Sequence, residues 1–280
     1  MKHTILRKEK LSAENYLIEI KATRVAERFQ PGQFVILRIH ERGERMPLTL
    51  ADVNPKNGTI TLIFQVVGKT TMELRTLNVG DTILDIVGPL GNPSEIKKFG
   101  RVICVGGGTG IACVYPIIRA LANAGNDVIT VIGARTKSLL MLEEEIKSVK
   151  SKIYITTDDG SKGHHGFVTD VLRDLLKKYD GEVNRVISIG PPIMMKSVAE
   201  LTRSYHIKTM ASLNTIMVDG TGMCGGCRTF IDGEMKLACI DGPEFDAHKV
   251  NFDDLMSRLE MFRGKEAQAT EYFNKHVGAK

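Results

Sequence analysis

A chain of 280 residues, 42% apolar and 25% charged, is long enough for two hydrophobic cores and has the make-up of an ordinary globular protein. Its net charge of +5 comes from Lys and Arg interspersed with Asp and Glu, and with 6% aromatics and no Trp it offers little for bases to stack on, so nucleic-acid binding is not expected. No apolar signal segment opens the chain, and its most apolar stretch, 102–118, is broken by Gly, Thr and Pro; neither secretion nor membrane insertion is expected, and few cysteines fit a reducing cytoplasm.

From Thr4 to about Leu90 short apolar runs alternate with turn residues. Tyr16–Ile20, Phe34–Ile39, Leu48–Leu50, Thr59–Phe64 and Thr82–Ile86 are separated or flanked by Pro31-Gly32, Asn57-Gly58 and Gly88-Pro89. That rhythm predicts a small antiparallel barrel. Two segments in it carry chemistry. Arg45-Met46-Pro47-Leu48-Thr49 is a strand with a cation, a rigid Pro and a hydroxyl, along which a flat ring could lie. Gly68-Lys69-Thr70-Thr71 opens a helix whose free N–H groups could hold a diphosphate. By themselves the two also read as an ordinary strand and an ordinary capped helix.

After Gly100 the pattern becomes strand, glycine turn, helix, strand, helix. Strands are expected at Val102–Val105, Val128–Ile132, Ile153–Thr156, Val186–Ile189 and Ile207–Met210, and helices over Ile111–Ala124, Leu139–Val149, Phe167–Lys178 and Ile193–Ser204. Such alternation marks a doubly wound α/β domain. Gly106-Gly107-Gly108-Thr109-Gly110-Ile111 lies between the first strand and its helix, where glycines permit close backbone approach and the helix start attracts a pyrophosphate. Ile111 replaces the third glycine of the G-x-G-x-x-G fingerprint, and the loop also reads as one that needs only positive φ. The acid expected about twenty residues further on to bind an adenosine ribose is missing. Arg135, in Gly133-Ala134-Arg135-Thr136, stands at the end of the second strand instead, suited either to a 2′-phosphate or to stacking on adenine.

Asp219, Cys224, Cys227 and Cys239 follow the spacing D-x4-C-x2-C-x11-C within a glycine-rich run. Three thiolates and a carboxylate, with backbone N–H groups free to face inorganic sulfides, suit a [2Fe–2S] cluster and hence electron transfer. A zinc knuckle is the alternative, but zinc ligands normally come as two well-separated pairs, whereas three of these four donors share one loop. Cys104 and Cys113, in an apolar strand and at a helix start, read as small hydrophobes. A short polar helix is expected over Phe252–Phe262, then a charged tail.

Barrel, nucleotide domain and cluster loop in that order resemble the ferredoxin–NADP reductase superfamily over essentially the whole chain. Within it the chain looks most like the electron-transfer subunits of dihydroorotate dehydrogenase and the small subunits of NADH-dependent reduced ferredoxin:NADP oxidoreductase, also called sulfide dehydrogenase. The resemblance is carried by Pro31-Gly-Gln-Phe, Pro47-Leu-Thr, Gly68-x-x-Thr71, Gly88-Pro-Leu-Gly, the Gly106 loop, Thr157-Asp-Asp-Gly-Ser, Gly190-Pro-Pro-x-Met-Met and, most specifically, the cysteine loop. It implies an FAD-binding barrel over 1–98, a nicotinamide nucleotide domain over 99–218, and a [2Fe–2S] lobe with its tail over 219–280.

By the same resemblance Pro47, Leu48 and Thr49 line the flavin, with Thr49 near its N5; Ile63, Phe64 and Gln65 meet its ribityl and phosphate portion; and Gly68, Thr70 and Thr71 hold the pyrophosphate. Gly107, Thr109, Gly110, Gly190, Pro191 and Met194 bind NAD(H). The superfamily's flavin-strand arginine is Met46 here, with Arg45 one step earlier. Dihydroorotate dehydrogenase subunits have Cys where this chain has Asp219, and Asp is a trait of the bifurcating reductase branch. The implied function is hydride exchange between NAD(H) and FAD, with single electrons passing through the cluster to a larger flavo-iron–sulfur subunit, and through it to ferredoxin and NADPH. The alternatives are a dihydroorotate dehydrogenase subunit and, in a different class, a zinc-binding docking module that senses NAD(H).

Overall fold

The computed structural model describes residues 3–276. Its first part contains β1 (His3–Lys10), β2 (Asn15–Lys21), α1 (Thr23–Arg28), β3 (Phe34–Arg38), β4 (Arg45–Asn54), β5 (Thr59–Gln65), α2 (Lys69–Thr76), β6 (Thr82–Ile83) and β7 (Asp85–Leu90). The strands form one antiparallel sheet in the order β6-β1-β2-β5-β4-β3-β7, curled into a nearly closed barrel. Period-two alternation explains the curl: Ile60, Leu62 and Phe64 of β5 point inward and are at most 1% exposed, beside Ile18, Val35 and Leu37. Burying such side chains contributes roughly 1.5–3 kcal/mol each. Ile63 points the other way and joins Leu17 and Ala51 in the core of the next domain.

The second part runs through β8 (Arg101–Gly107), α3 (Gly110–Asn123), β9 (Asp127–Ala134), α4 (Glu143–Ser148), β10 (Lys152–Thr157), β11 (His164–His165), α5 (Val168–Lys178), β12 (Val183–Ile189), α6 (Pro192–Arg203) and β13 (Thr209–Ser212). Alternate residues of the central strand face opposite layers. Val102 and Cys104 pack under α3, while Ile103 and Val105 pack under α5 and α6. The expected helix over Leu139–Val149 is shortened to α4, which starts after Leu142 at φ +59°. The strand expected from Ile207 begins at Thr209, because His206 takes φ +54° and turns the chain first.

The last part holds β14 (Arg228–Ile231), β15 (Glu234–Leu237), α7 (Ala238–Asp241), β16 (Glu244–Asp246), α8 (Phe252–Leu259) and α9 (Arg263–His276). The excursion between Cys227 and Cys239 is the β14–β15 hairpin. Strand β16 adds antiparallel to β13, completing the sheet order β11-β10-β9-β8-β12-β13-β16, parallel up to that edge. The segment expected to be a charged tail is mostly helix α9, which returns to pack against α2 and buries Phe273. The expected helix over Phe252–Phe262 ends at Leu259.

Candidate functional site

A cavity of about 600 Å³ opens between the carboxyl ends of the parallel strands and the rim of the barrel. Gly107, Gly108 and Thr109 of the glycine loop, Arg135, and Pro191 and Met194 at the start of α6 all line it, joined by Gln65 from β5. Gly108 sits at φ +55° with open space where a Cβ would stand, so the loop's backbone faces the cavity. Gly110 has a different reason for being glycine: a Cβ there would meet the Ile189 carbonyl oxygen at 2.2 Å, so it serves helix-on-strand packing. Gly190 lies behind the wall, where a Cβ would meet Met194 Cε at 2.7 Å.

Asp158, Phe167 and Ile193 also line the cavity. Asp158 brings an acid to the cavity from the strand next to the second one. It follows β10, and its amide donates to the Ala134 carbonyl at 3.1 Å, which sets it beside Arg135. Phe167 and Ile193, 63% and 59% exposed, offer apolar faces at the cavity mouth, where a solvent-facing Phe has no packing purpose. The pattern of Thr157-Asp158-Asp159-Gly160-Ser161 pointed toward Asp158, but only sheet order places it. An open glycine backbone, a helix start and an acid with apolar faces fit a dinucleotide.

On the barrel side, Pro47, Leu48 and Thr49 are half-buried on β4, and α3 packs against that strand. Asp52 Oδ1 accepts from Arg119 Nη2 of α3 at 2.6 Å, fastening the two. The thiol of Cys113, also on α3, is raised by burial and partly lowered by its hydrogen bond with Thr49. Cys113 packs with the apolar residues of α3 against the core beneath the glycine loop. Ile63 is buried at the domain seam, whereas Phe64 stacks on Tyr16 inside the barrel, which leaves only its backbone for a cofactor. Arg45 is exposed at the outer end of β4, paired in register with Arg38.

Gly68 precedes α2 in extended backbone with open space around it, so an anion can approach the helix start closely. The Thr71 hydroxyl accepts from the Val67 and Gly68 amides at 3.0 and 3.1 Å and holds that turn rigid. The Thr70 hydroxyl donates to Glu44.

The cysteine loop curls through Gly220, Gly222 and Gly225 at φ +74°, +87° and +64°. Its four donors fall into two pairs. Asp219 accepts from the Thr221 and Cys224 amides at 2.7 and 2.8 Å, which ties the carboxylate to Cys224. Cys227 Sγ accepts from the Cys239 amide at 3.4 Å. The Thr221 N–H foremost, with the Cys224 N–H, holds the Asp219 carboxyl below the usual carboxylate range. Burial, with the hydrogen bond to Cys227, pushes the Cys239 thiol up, so metal must displace its proton. Among the described residues no three such side chains converge on one point for a single ion. Three thiols and a carboxylate in two hydrogen-bonded pairs would serve as the protein donors of a two-iron cluster. The donor set fits a [2Fe–2S] cluster.

Comparison with known proteins agrees with this geometry. Residues 104–200 match the oxidoreductase NAD-binding domain, and residues 214–251 match the iron–sulfur cluster binding domain of dihydroorotate dehydrogenase B, which sets aside the zinc alternative. A Thermotoga maritima homolog of the dihydroorotate dehydrogenase B (NAD(+)) electron transfer subunit is 47% identical over 98% of this chain and 96% of its own length. The Geobacillus thermodenitrificans electron transfer subunit of that enzyme is 32% identical over 88% and 96%. Among solved structures, a chain from work on flavin-based electron bifurcation in NADH-dependent reduced ferredoxin–NADP oxidoreductase is 46% identical, covers 97% of both chains and superposes with a TM-score of 0.91. Phthalate dioxygenase reductase, 16% identical with a TM-score of 0.63, shares the fold. The chain belongs to the family of dihydroorotate dehydrogenase B electron transfer subunits and their reductase homologues, built on the ferredoxin–NADP reductase fold, with FAD, NAD and a [2Fe–2S] cluster as its cofactors.

Proposed function

We propose that this subunit exchanges hydride between NADH and FAD and sends single electrons through its cluster to a larger flavo-iron–sulfur subunit, as the NADH-linked arm of an electron-bifurcating oxidoreductase that serves ferredoxin and NADPH through that partner. One observation carries the reading. Gly220, next to Asp219, lies against Ile36 and Leu90, where a Cβ would come within 2.8 and 2.7 Å of their side chains. Ile36 pairs directly with Pro47 on the proposed flavin strand. The metal loop thus rests one strand away from the flavin strand, a short path for an electron.

Bound FAD supplies the conversion between two-electron and one-electron chemistry, and the protein's residues position it. Pro47, Leu48 and Thr49 present a flat, half-buried wall, with the Thr49 hydroxyl available to the reacting edge. Gly68, Thr70 and Thr71 receive the diphosphate at the start of α2. Gly107, Thr109, Pro191 and Met194 seat the nicotinamide nucleotide, and Asp158 accepts a ribose hydroxyl, which favours NADH over NADPH. Asp219 with Cys224, and Cys227 with Cys239, hold the two irons. Domain limits of 1–98, 99–218 and 219–280 follow from this division of labour.

Exposed Met223, Val218 and Ile240, on or beside the metal loop, form an apolar rim suited to the partner. No helix among the described residues is long and apolar enough to cross a membrane; a cytoplasmic setting belongs to this reading because few cysteines and an iron–sulfur cluster suit reducing surroundings. Asp219 favours the bifurcating branch over a dihydroorotate-linked role. The test is purification from the native cell, with a visible spectrum and an iron assay. Flavin and iron–sulfur absorption in a complex with a larger subunit is expected. A lone, fully active chain would contradict the assembly, and dihydroorotate-dependent reduction of the complex would assign it to the other branch.

A further inference from the structure

The turn between β1 and β2 reaches from the barrel into the nucleotide cavity. Glu14 stands at its end, with its Oε2 accepting from Gln65 Nε2 at 2.6 Å and lying 3.4 Å from Arg135 Nη2 across the domain boundary. Asn15 lines the cavity, is 3% exposed, and its Oδ1 has no hydrogen-bond partner. Its amide nitrogen is already committed to the Ser12 hydroxyl at 2.8 Å. On the facing wall stands Asp158, another acceptor.

We propose that this turn selects the nucleotide: Glu14 engages the Arg135 guanidinium and, with Asp158, presents acceptors that admit a free ribose hydroxyl and refuse a phosphate. The inference rests on the reading of NADH as the physiological nucleotide, and it names the residues that enforce the choice. Arg135 alone, at the end of the second strand, would favour a 2′-phosphate. Paired with Glu14 it loses that pull. A 2′-phosphate would bring about −1.5 to −2 charges at pH 7 and no hydrogen to donate, beside two carboxylates. A hydroxyl brings a donor and no charge.

The test uses the intact complex with its cofactors. Calorimetric titration with 2′,5′-ADP and 5′-AMP is compared for the unaltered protein, Glu14→Gln, and Glu14→Gln combined with Arg135→Ala. Glu14→Gln should move the affinity ratio about tenfold toward 2′,5′-ADP, and the double variant should lose that gain. An unchanged ratio in Glu14→Gln overturns the proposal, and an equal gain in the double variant removes Arg135 from it. A preference for 2′,5′-ADP in the unaltered protein would instead overturn the NADH reading on which the proposal stands.

Discussion

The Arg185 guanidinium lies over the Phe99 ring, 3.9 Å from its centroid, while its Nη1 donates to Glu95 at 2.8 Å. Phe99 and Glu95 belong to the segment that joins barrel to nucleotide domain, and Arg185 belongs to β12. The pair therefore clamps the linker onto the second domain. Hydrogen bonds from Lys97 first and Arg185 second lower the Glu95 carboxyl to about 2. A depressed carboxyl pKa stabilises above its unfolded value and loses that contribution as pH falls toward the folded one. The Glu95 side chain is 42% exposed, so the contribution is modest. Glu95→Gln should cost about 0.5–1 kcal/mol at neutral pH and progressively less below about pH 4. Urea unfolding at both pH values reads it, and a penalty that does not shrink in acid would contradict the assignment.

Gly220 combines φ +74° with near-contact to Ile36 and Leu90. Gly220→Ala should strain the metal loop by about 1–3 kcal/mol and lift it from the barrel. The expected outcome is a chain with normal flavin content, fewer irons per flavin and slower cluster reduction by NADH. Full iron content with an unchanged reduction rate would show that this contact does not set the path.

Asp219 stabilises its own turn as well as standing at a ligand position. Asp219→Asn retains an oxygen for the Thr221 amide, and so separates the two roles. Asp219→Cys should keep a [2Fe–2S] cluster with shifted potential and EPR g-values, because thiolate is the softer, more electron-sharing donor. Asp219→Ala should lose or destabilise the cluster. An Ala variant with an unaltered cluster spectrum would place the fourth ligand elsewhere.

Met223 is 89% exposed between the Asp219 and Cys224 positions. A charge at such a site disrupts an apolar interface while leaving an isolated chain folded. Met223→Glu should release the larger subunit on size-exclusion chromatography with the flavin and cluster spectra intact. Retention of the complex at unchanged affinity would move the docking face away from this rim.

Flavin reduction followed by stopped flow should show a higher specificity for NADH than for NADPH. The acid beside Arg135 and the Glu14 carboxylate 3.4 Å from its guanidinium both act in that direction. A clear preference for NADPH would sink the NADH assignment.

Much of the fold was legible because its signals were periodic. Ile60, Leu62 and Phe64 announced a barrel strand, and the alternation of strand and helix after Gly100 announced the parallel sheet. Strand β1 escaped notice because it lies near the sheet edge, carries charged side chains and fully buries only Ile5. Helix α9 escaped because a lone Phe273 is its buried anchor, so no apolar stripe marks it. In the site, the glycine loop and the cysteine loop were local motifs, readable along the chain. Asp158 and Asn15 were not, because each takes its place from neighbours far off in sequence: Asp158 beside Arg135 through the pairing of β9 with β10, and Asn15 at the cavity through the barrel rim.

Strand β16 has a consequence for how this protein can be divided. It comes from the metal-binding part of the chain, yet it caps the outermost parallel strand, β13, through Met210, Ala211 and Ser212. A chain cut after residue 218 would bare that strand's N–H and C=O groups along a row whose neighbours are apolar, a template for pairing with other copies. The nucleotide half should therefore resist isolation as a soluble fragment, and any shuffling of the metal module onto other reductases would have to bring a replacement edge with it.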